Sequence, residues 1–306
     1  MNVDKLKKIQ NNVINKSRII NIICFVVFCI SLYILYEKNI SLFYYLIDIV
    51  ISLIITMIIR FIFLNKQISE FNIGFKKVFV LNALNRIFNN LEYFPDKGFD
   101  YNVISNTGMM DMGDRYSSND YFEAEYKNVK IRHADVQIEK EREIKDDKGN
   151  VQEEYYTIFK GKWMIFDFNK NFNSNIQVVQ KGFESSKISN WGKDIKYKRI
   201  EMEDEQFNKI FRIYTQDEHE AFYILTPPLM EKIKKLAFQL NGELLLCFIN
   251  NELHVGLENN KDSFEYNIYR KIDKEKINDE IIGDIKVITS FVDQLNLDNN
   301  LFKREM

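Results

Sequence analysis

The first sixty-five residues are dominated by two apolar runs. Ile19 to Tyr36 holds 18 residues without a charge, about 27 Å as a helix at 1.5 Å per residue. That nearly matches a hydrocarbon core about 30 Å thick. Ile40 to Leu64 adds 25 residues, enough to cross with some tilt. The first run ends Tyr36-Glu37-Lys38-Asn39 with no small-x-small cleavage site, and no lipobox precedes Cys24. The pattern therefore predicts an uncleaved transmembrane helical hairpin rather than a signal peptide.

Beyond the hairpin the periodicity changes twice. Val80, Leu84, Ile87 and Leu91 recur at helical spacing, and Pro95 with Gly98 closes that pattern. Short or alternating runs then predict strands at Tyr121–Tyr126, Val129–Ile144, Val151–Phe159, Trp163–Phe168 and Ile176–Val179. A polar turn is expected at Asp146–Asn150, and Gly161 reads as an interruption. Further strands are expected at Ile210–Tyr214 and Ala221–Leu225. Thr226-Pro227-Pro228 is a helix start, followed by Leu229, Ile233, Leu236 and Leu240. Leu244–Ile249, the turn Asn250-Asn251, and Leu253, Val255 and Leu257 form a hairpin. Ile277 through Leu295 supplies a last amphipathic helix.

The expected fold class is α+β: the transmembrane hairpin, then a largely antiparallel β domain with flanking amphipathic helices. The expected organisation is a basic arm over residues 1–18 and two transmembrane helices over 19–64. A connecting helix over 65–95 and a cytoplasmic α+β domain over 96–306 complete it.

Charge sets the expected orientation. The arm carries Lys5, Lys7, Lys8, Lys16 and Arg18 against Asp4 alone, and Arg60, Lys66, Lys76 and Lys77 close the second run. The loop between the spans has one basic residue, Lys38. Positive-inside bias places both termini and the large domain in the cytoplasm, at the inner membrane. Residues 66–306 hold 35 basic and 41 acidic residues, so no basic field marks a nucleic-acid binder. The lipid bilayer is the first expected partner, with a protein or peptide at the inner membrane surface as the second.

Two charges lie within the second run. Arg60 is four residues from its cytoplasmic edge and within snorkelling range. Asp48 is eight residues in, and an intramembrane carboxylate invites either local hydrogen bonds or oligomerisation through the spans.

Candidate chemistry is sparse. Nucleotide-binding glycine loops, zinc-protease, serine-hydrolase and EF-hand motifs are all missing, and the three cysteines (Cys24, Cys29, Cys247) make no metal or disulfide pattern. No cofactor and no metal set is implied. The densest polar cluster is Asp217-Glu218-His219-Glu220, in which Asp217, His219 and Glu220 are the catalytic candidates, as base, orienter or ligand. On a strand at most two of these would converge. His133 with Asp135, and His254 with Glu252, each share a strand face. The acidic run Glu201–Glu205 reads as a solvated loop or a helix start, with cation binding as the alternative, and Asp111–Asp114 as a pair of loop carboxylates near Arg115.

Four phrases carry a resemblance. They are Tyr116–Tyr121, Phe159–Trp163 continuing through Asp167–Lys170, Glu203–Phe207, and above all Tyr214–Pro227 (YTQDEHEAFYILTP). Together they resemble the bacterial domain-of-unknown-function family thirty-one thirty-seven, over roughly residues 90–270. The resemblance implies two N-terminal spans with one cytoplasmic domain and no assigned activity. This chain has Phe222 where that family more often has arginine. The expected function is binding or interaction at the inner membrane surface; a metal-assisted hydrolase using the acidic/histidine cluster is the alternative.

Overall fold

A computed structural model describes residues 1–145, 151–167, 174–183 and 197–297. The turn at Asp146–Asn150 and residues 168–170 of the second phrase lie outside the described residues. The chain divides into two compact units, Met1–Asn82 with Glu265–Asn278, and Ala83–Phe264 with the residues from Asp279 onward.

In the first unit Asn2 caps helix α1 (Val3–Glu37), its side chain accepting from the Lys5 N–H at 2.9 Å. A tight turn with Asn39 left-handed (φ 47°) leads into α2 (Leu42–Phe75). Ser31 lies opposite Asp48 and Ser17 opposite Arg60, the register of an antiparallel helical hairpin. Both helices are long and apolar enough to cross a membrane. Their apolar surface is left open: Phe25 is 65% exposed, Leu42 79% and Met57 75%. An unburied stripe of that size asks for lipid or partner contact.

Where charge returns, packing begins. Leu6, Val13, Leu64, Phe71 and Phe75 are buried, and Tyr266 stacks on Phe75 with ring centres 4.9 Å apart. The Gln10 amide donates to the carbonyls of Ile268 (2.7 Å) and Arg270 (2.6 Å), tying the 265–278 segment to α1. Lys76 pairs with Glu265 at 2.7 Å.

Helix α2 passes through a π-helical turn (Lys76–Val80) into α3 (Leu81–Asn85). The helix predicted to reach Leu91 stops here, because residues 89–94 pair as a strand. Phe88 is buried and packs on Phe122 at 5.5 Å, and β1 (Asn89–Phe94) lies antiparallel to β2 (Arg115–Tyr126). The apolar spacing of 80–91 suited a helix, but sheet pairing and the Phe88 contact override it.

The second unit is built on an antiparallel sheet with nine strands among the described residues, in the order β1-β2-β3-β4-β9-β8-β5-β7-β6. The remaining strands are β3 (Val129–Lys145), β4 (Val151–Asp167), β5 (Ile176–Gln180), β6 (Lys198–Ile200), β7 (Phe211–Thr215), β8 (Glu243–Ile249) and β9 (Glu252–Glu258). Lys127 and Asn128, both left-handed, make the two-residue turn between β2 and β3, as such hairpins require. Asn250, also left-handed, opens the predicted turn between β8 and β9.

Gly161 does not interrupt β4. It sits within the strand, where an added Cβ would fall 2.1 Å from the Leu257 carbonyl oxygen on β9. Its glycine answers close backbone approach.

The two sheet faces have separate cores. On one, the tryptophan face, Ala134, Val136, Phe159, Trp163, Leu245 and Cys247 pack with Phe99, Ile104 and Met109 of the segment containing α4 (Tyr101–Ser105). The other, the helix face, carries Phe166, which meets Phe291 of α8 (Lys274–Leu295) at 5.8 Å. Helix α7 (Pro227–Gln239) follows Thr226 as N-cap and buries Met230, Ile233 and Leu236.

The segment predicted as a strand at Ala221–Leu225 is helical. Asp217 caps α6 (Glu218–Ile224) by accepting from the N–H groups of His219 (2.8 Å) and Glu220 (3.3 Å), while Ala221 and Ile224 are buried one turn apart. Helix α5 (Glu205–Ile210) is capped likewise by Asp204, so that acidic run is a helix start.

Candidate functional site

Strand register decides which polar residues can meet. His133 on β3 is opposite Met164 on β4, whereas His254 on β9 is opposite Ile165, the next residue. Consecutive residues of one strand point to opposite faces, so His133 faces the helices and His254 the tryptophan. His219 is exposed on α6. The three histidines do not converge.

On the helix face lies a buried polar cluster. Lys162, 1% exposed, is opposite Asp135, 3% exposed. The Lys162 ammonium donates to Ser263 Oγ and to Asp284 Oδ1, the latter at 3.0 Å. Ser263 in turn donates its N–H (2.6 Å) and hydroxyl (2.7 Å) to the two Asp135 oxygens. Burial pushes the Asp135 carboxyl above its usual range; Lys162 and Ser263 pull against it. His133 stacks on Phe122 (4.9 Å, 17°), its Nδ1 lies 3.4 Å from the Asp120 carbonyl, and its buried Nε2 has no partner among the described residues. Burial, reinforced by Lys162, lowers its pKa to about 3, so the ring is neutral. Nothing large can enter so closed a group; it fixes the strands and α8.

The tryptophan face opens at its edge into a cleft of about 270 Å³, lined by Asn90, Glu123, Glu125, Lys130, Arg132, Ile165 and Asp167. Behind it runs a chain of contacts graded in burial. Trp163 Nε1–H donates to His254 Nδ1 at 3.5 Å. The donor assigns the imidazole proton to Nε2, which faces Glu252 Oε2 at 3.3 Å. Arg132 grips the other Glu252 oxygen at 2.5 Å. Hydrogen bonding from His254 holds the Glu252 carboxyl below its usual range, helped by Arg132 against burial. Burial keeps His254 below its own usual value, with Glu252 opposing.

Asp167 is the exception in this cleft. It lies opposite Glu252, half-buried, and no hydrogen bond or ion pair reaches its carboxylate among the described residues. Burial raises its carboxyl above the usual range; Lys130 and Arg132 oppose this and Glu252 adds to it. Glu123 and Glu125 are already engaged by Tyr121 and Asn90. Asp167 is thus the cleft carboxylate without a hydrogen-bond partner among the described residues. At about 270 Å³ the cleft is smaller than the usual 300–1,000 Å³ of small-molecule pockets, and it suits a side chain or a headgroup-sized fragment.

Asp217, His219 and Glu220 share one helical turn, but two of the three are committed elsewhere. Asp217 caps its own helix, and Glu220 Oε2 accepts from the Ser174 N–H (2.8 Å) and hydroxyl (2.6 Å). Among the described residues their ligand atoms do not gather within reach of one ion. The loop carboxylates Asp111 and Asp114 are also structural. Asp111 accepts from the Gly113 N–H at 2.9 Å and from Lys140, and Asp114 accepts from the Glu141 N–H at 2.8 Å, clipping the loop to β3. In the hairpin, Asp48 accepts from Ser31 of α1 at 2.8 Å, a local hydrogen bond from the first helix, and Arg60 donates to Ser17 at 2.6 Å.

Arg132, Lys162 and Asp167 were not singled out in the sequence. The sequence separation of 120 between Arg132 and Glu252 hides their pairing, and only strand register reveals it.

Residues 157–297 match the family model described as "Protein of unknown function (DUF3137)". The match begins within β4 and takes in Trp163, Lys162, Asp167, Glu252 and His254, but not Arg132 or Asp135 on β3. It bears out the resemblance carried by the YTQDEHEAFYILTP phrase. It assigns no activity. No curated protein matches the sequence. Among solved structures, the crystal structure of the mycobacterial trehalose monomycolate transport factor A, TtfA, aligns with a TM-score of 0.38 at 8% identity, covering 70% of this chain and 90% of that one. So loose a likeness carries no argument about function. Phe222 is 43% exposed on α6.

Proposed function

We propose that this chain is a membrane-tethered binding module of the inner membrane, with both termini and the β-rich unit on the cytoplasmic side. In this reading the cleft beside β4 receives a cationic side chain from a protein or peptide partner. The supporting observation is Asp167: a half-buried carboxylate with no pairing partner among the described residues, in a cleft with three carboxylates and two cations. The orientation rests on the basic residues that flank the hairpin and on the single Lys38 of its loop. The hydrolase alternative has less to rest on, since among the described residues Asp217 and Glu220 accept from backbone N–H groups.

Titration calorimetry of the detergent-solubilised full chain with penta-lysine and penta-glutamate tests the cleft. Penta-lysine should bind and penta-glutamate should not. A charge-assisted hydrogen bond contributes about 1.5–3 kcal/mol, so Asp167→Asn should weaken penta-lysine roughly tenfold or more. Because burial raises the Asp167 carboxyl, binding should fade as pH drops, and should do so at a higher pH than for an ordinary carboxylate. Unchanged affinity in Asp167→Asn would remove the cleft from the account.

A further inference from the structure

The membrane hairpin holds a second unassigned site. A groove of about 360 Å³ runs along α2, with Leu53, Met57 and Phe61 on its apolar side and Arg60, Asn65 and Tyr269 among its polar liners. Arg60 is the sole charge in that lining, and guanidinium stays protonated in proteins. Its one hydrogen-bond acceptor among the described residues is Ser17 Oγ at 2.6 Å, no carboxylate pairs with it, and its Nε is buried without a partner. Thr56 is satisfied by its own helix, donating to the Ser52 carbonyl at 2.7 Å. The groove therefore combines an uncompensated cation, neutral polar groups and an apolar wall, and it includes no acid.

Its length fits one kind of occupant. Leu53 to Ile68, the extremes of the lining on α2, are separated by a helical rise of about 22 Å. Half of a bilayer, headgroups included, is about 21 Å. An amphiphile lying there would set its tail against Leu53 and Met57 and its head near Arg60, Asn65 and Tyr269. We propose that this groove binds an anionic phospholipid, its phosphate resting on the Arg60 guanidinium. A fork of N–H donors suits phosphate oxygens, and a net-negative headgroup is preferred because nothing in the groove balances the arginine. The inference rests on the membrane reading of the hairpin.

Native mass spectrometry of the full chain, taken from nanodiscs of equal phosphatidylglycerol and phosphatidylcholine, tests it. The wild type should retain phosphatidylglycerol over phosphatidylcholine. Arg60→Gln should lower that retention about fivefold, as loss of one membrane-facing cation implies, and Arg60→Lys should keep part of it. Should Arg60→Gln fail to fold, Asn65→Asp decides, because it alters an exposed residue and adds a carboxylate to the same groove lining; it too should release the lipid. Millimolar inorganic phosphate should not compete. Equal retention of both lipids, wild-type retention in Asn65→Asp, or displacement by inorganic phosphate would each overturn the site. A chain that incorporates into nanodiscs yet holds no phosphatidylglycerol refutes the groove alone; a chain that fails to incorporate refutes the hairpin.

Discussion

Replacing Lys162 with methionine probes the helix-face cluster. The side chain is 1% exposed and serves Ser263 and Asp284 while facing Asp135 across the β3–β4 pair. Methionine fills most of the volume, so the loss is electrostatic rather than a cavity. Removing one partner of a buried ion pair costs about 3–5 kcal/mol, because the remaining charge is stranded. For a unit of this size each kcal/mol lowers Tm by about 2–4 °C, which gives a fall of roughly 6–20 °C. The pH dependence has a definite sign. Asp135 is raised in the folded protein, so folding favours its protonated form. That contribution is whole below the unfolded value near 3.9 and is lost as pH rises through the folded value. Lys162 is the charge that stabilises ionised Asp135, and without it the rise is larger. The Tm deficit of Lys162→Met should therefore be greater at pH 8 than at pH 5, and Asp135→Asn in the same chain should recover part of it. Thermal unfolding of the full chain in detergent, followed by circular dichroism, measures both. A deficit under 2 °C, or one that shrinks with rising pH, would mean that Lys162 does not hold the Asp135 charge in the folded protein.

Three other substitutions test separate parts of the fold. His133→Phe removes a buried, unpaired Nε2 while keeping the stack on Phe122, so it should be neutral or stabilising. Since the depressed imidazole pKa, about 3, makes wild-type stability fall as pH drops below about 6.5, the variant should resist acid unfolding better, as circular dichroism against pH would register. Gly161→Ala puts a Cβ 2.1 Å from the Leu257 carbonyl oxygen and should cost about 1–3 kcal/mol, the range for overpacking, with faster amide exchange across β4 and β9. Asp217→Ala removes the α6 cap and should cost about 1 kcal/mol, with Asp217→Asn restoring most of it in the same denaturant titration.

Legibility in the sequence followed the range of the interaction. The hairpin was readable because solvent alone sets its pattern: an uninterrupted apolar run needs no partner to declare itself. The β8–β9 hairpin and the start of α7 were readable because Asn250-Asn251 and Thr226-Pro227-Pro228 act within a few residues. Helix α6 was missed although its signal was local. Asp217 and Glu220 have the spacing of a capping box, but Phe222, Tyr223 and Ile224 suggested a strand. Strand β1 was missed because its helical spacing yields to pairing with β2. The cleft was hidden for a different reason. Trp163, His254, Glu252 and Arg132 come together through the register of three strands, which no local pattern specifies. Asp167 stands out only once Arg132 is seen to be spent on Glu252.

The most direct test of the whole account is alkaline carbonate extraction of membranes from cells expressing the full chain. A polypeptide held by Ile19–Tyr36 and Ile40–Leu64 should stay in the sedimented bilayer and enter solution only with detergent. Recovery of the intact chain in the carbonate supernatant would contradict the account.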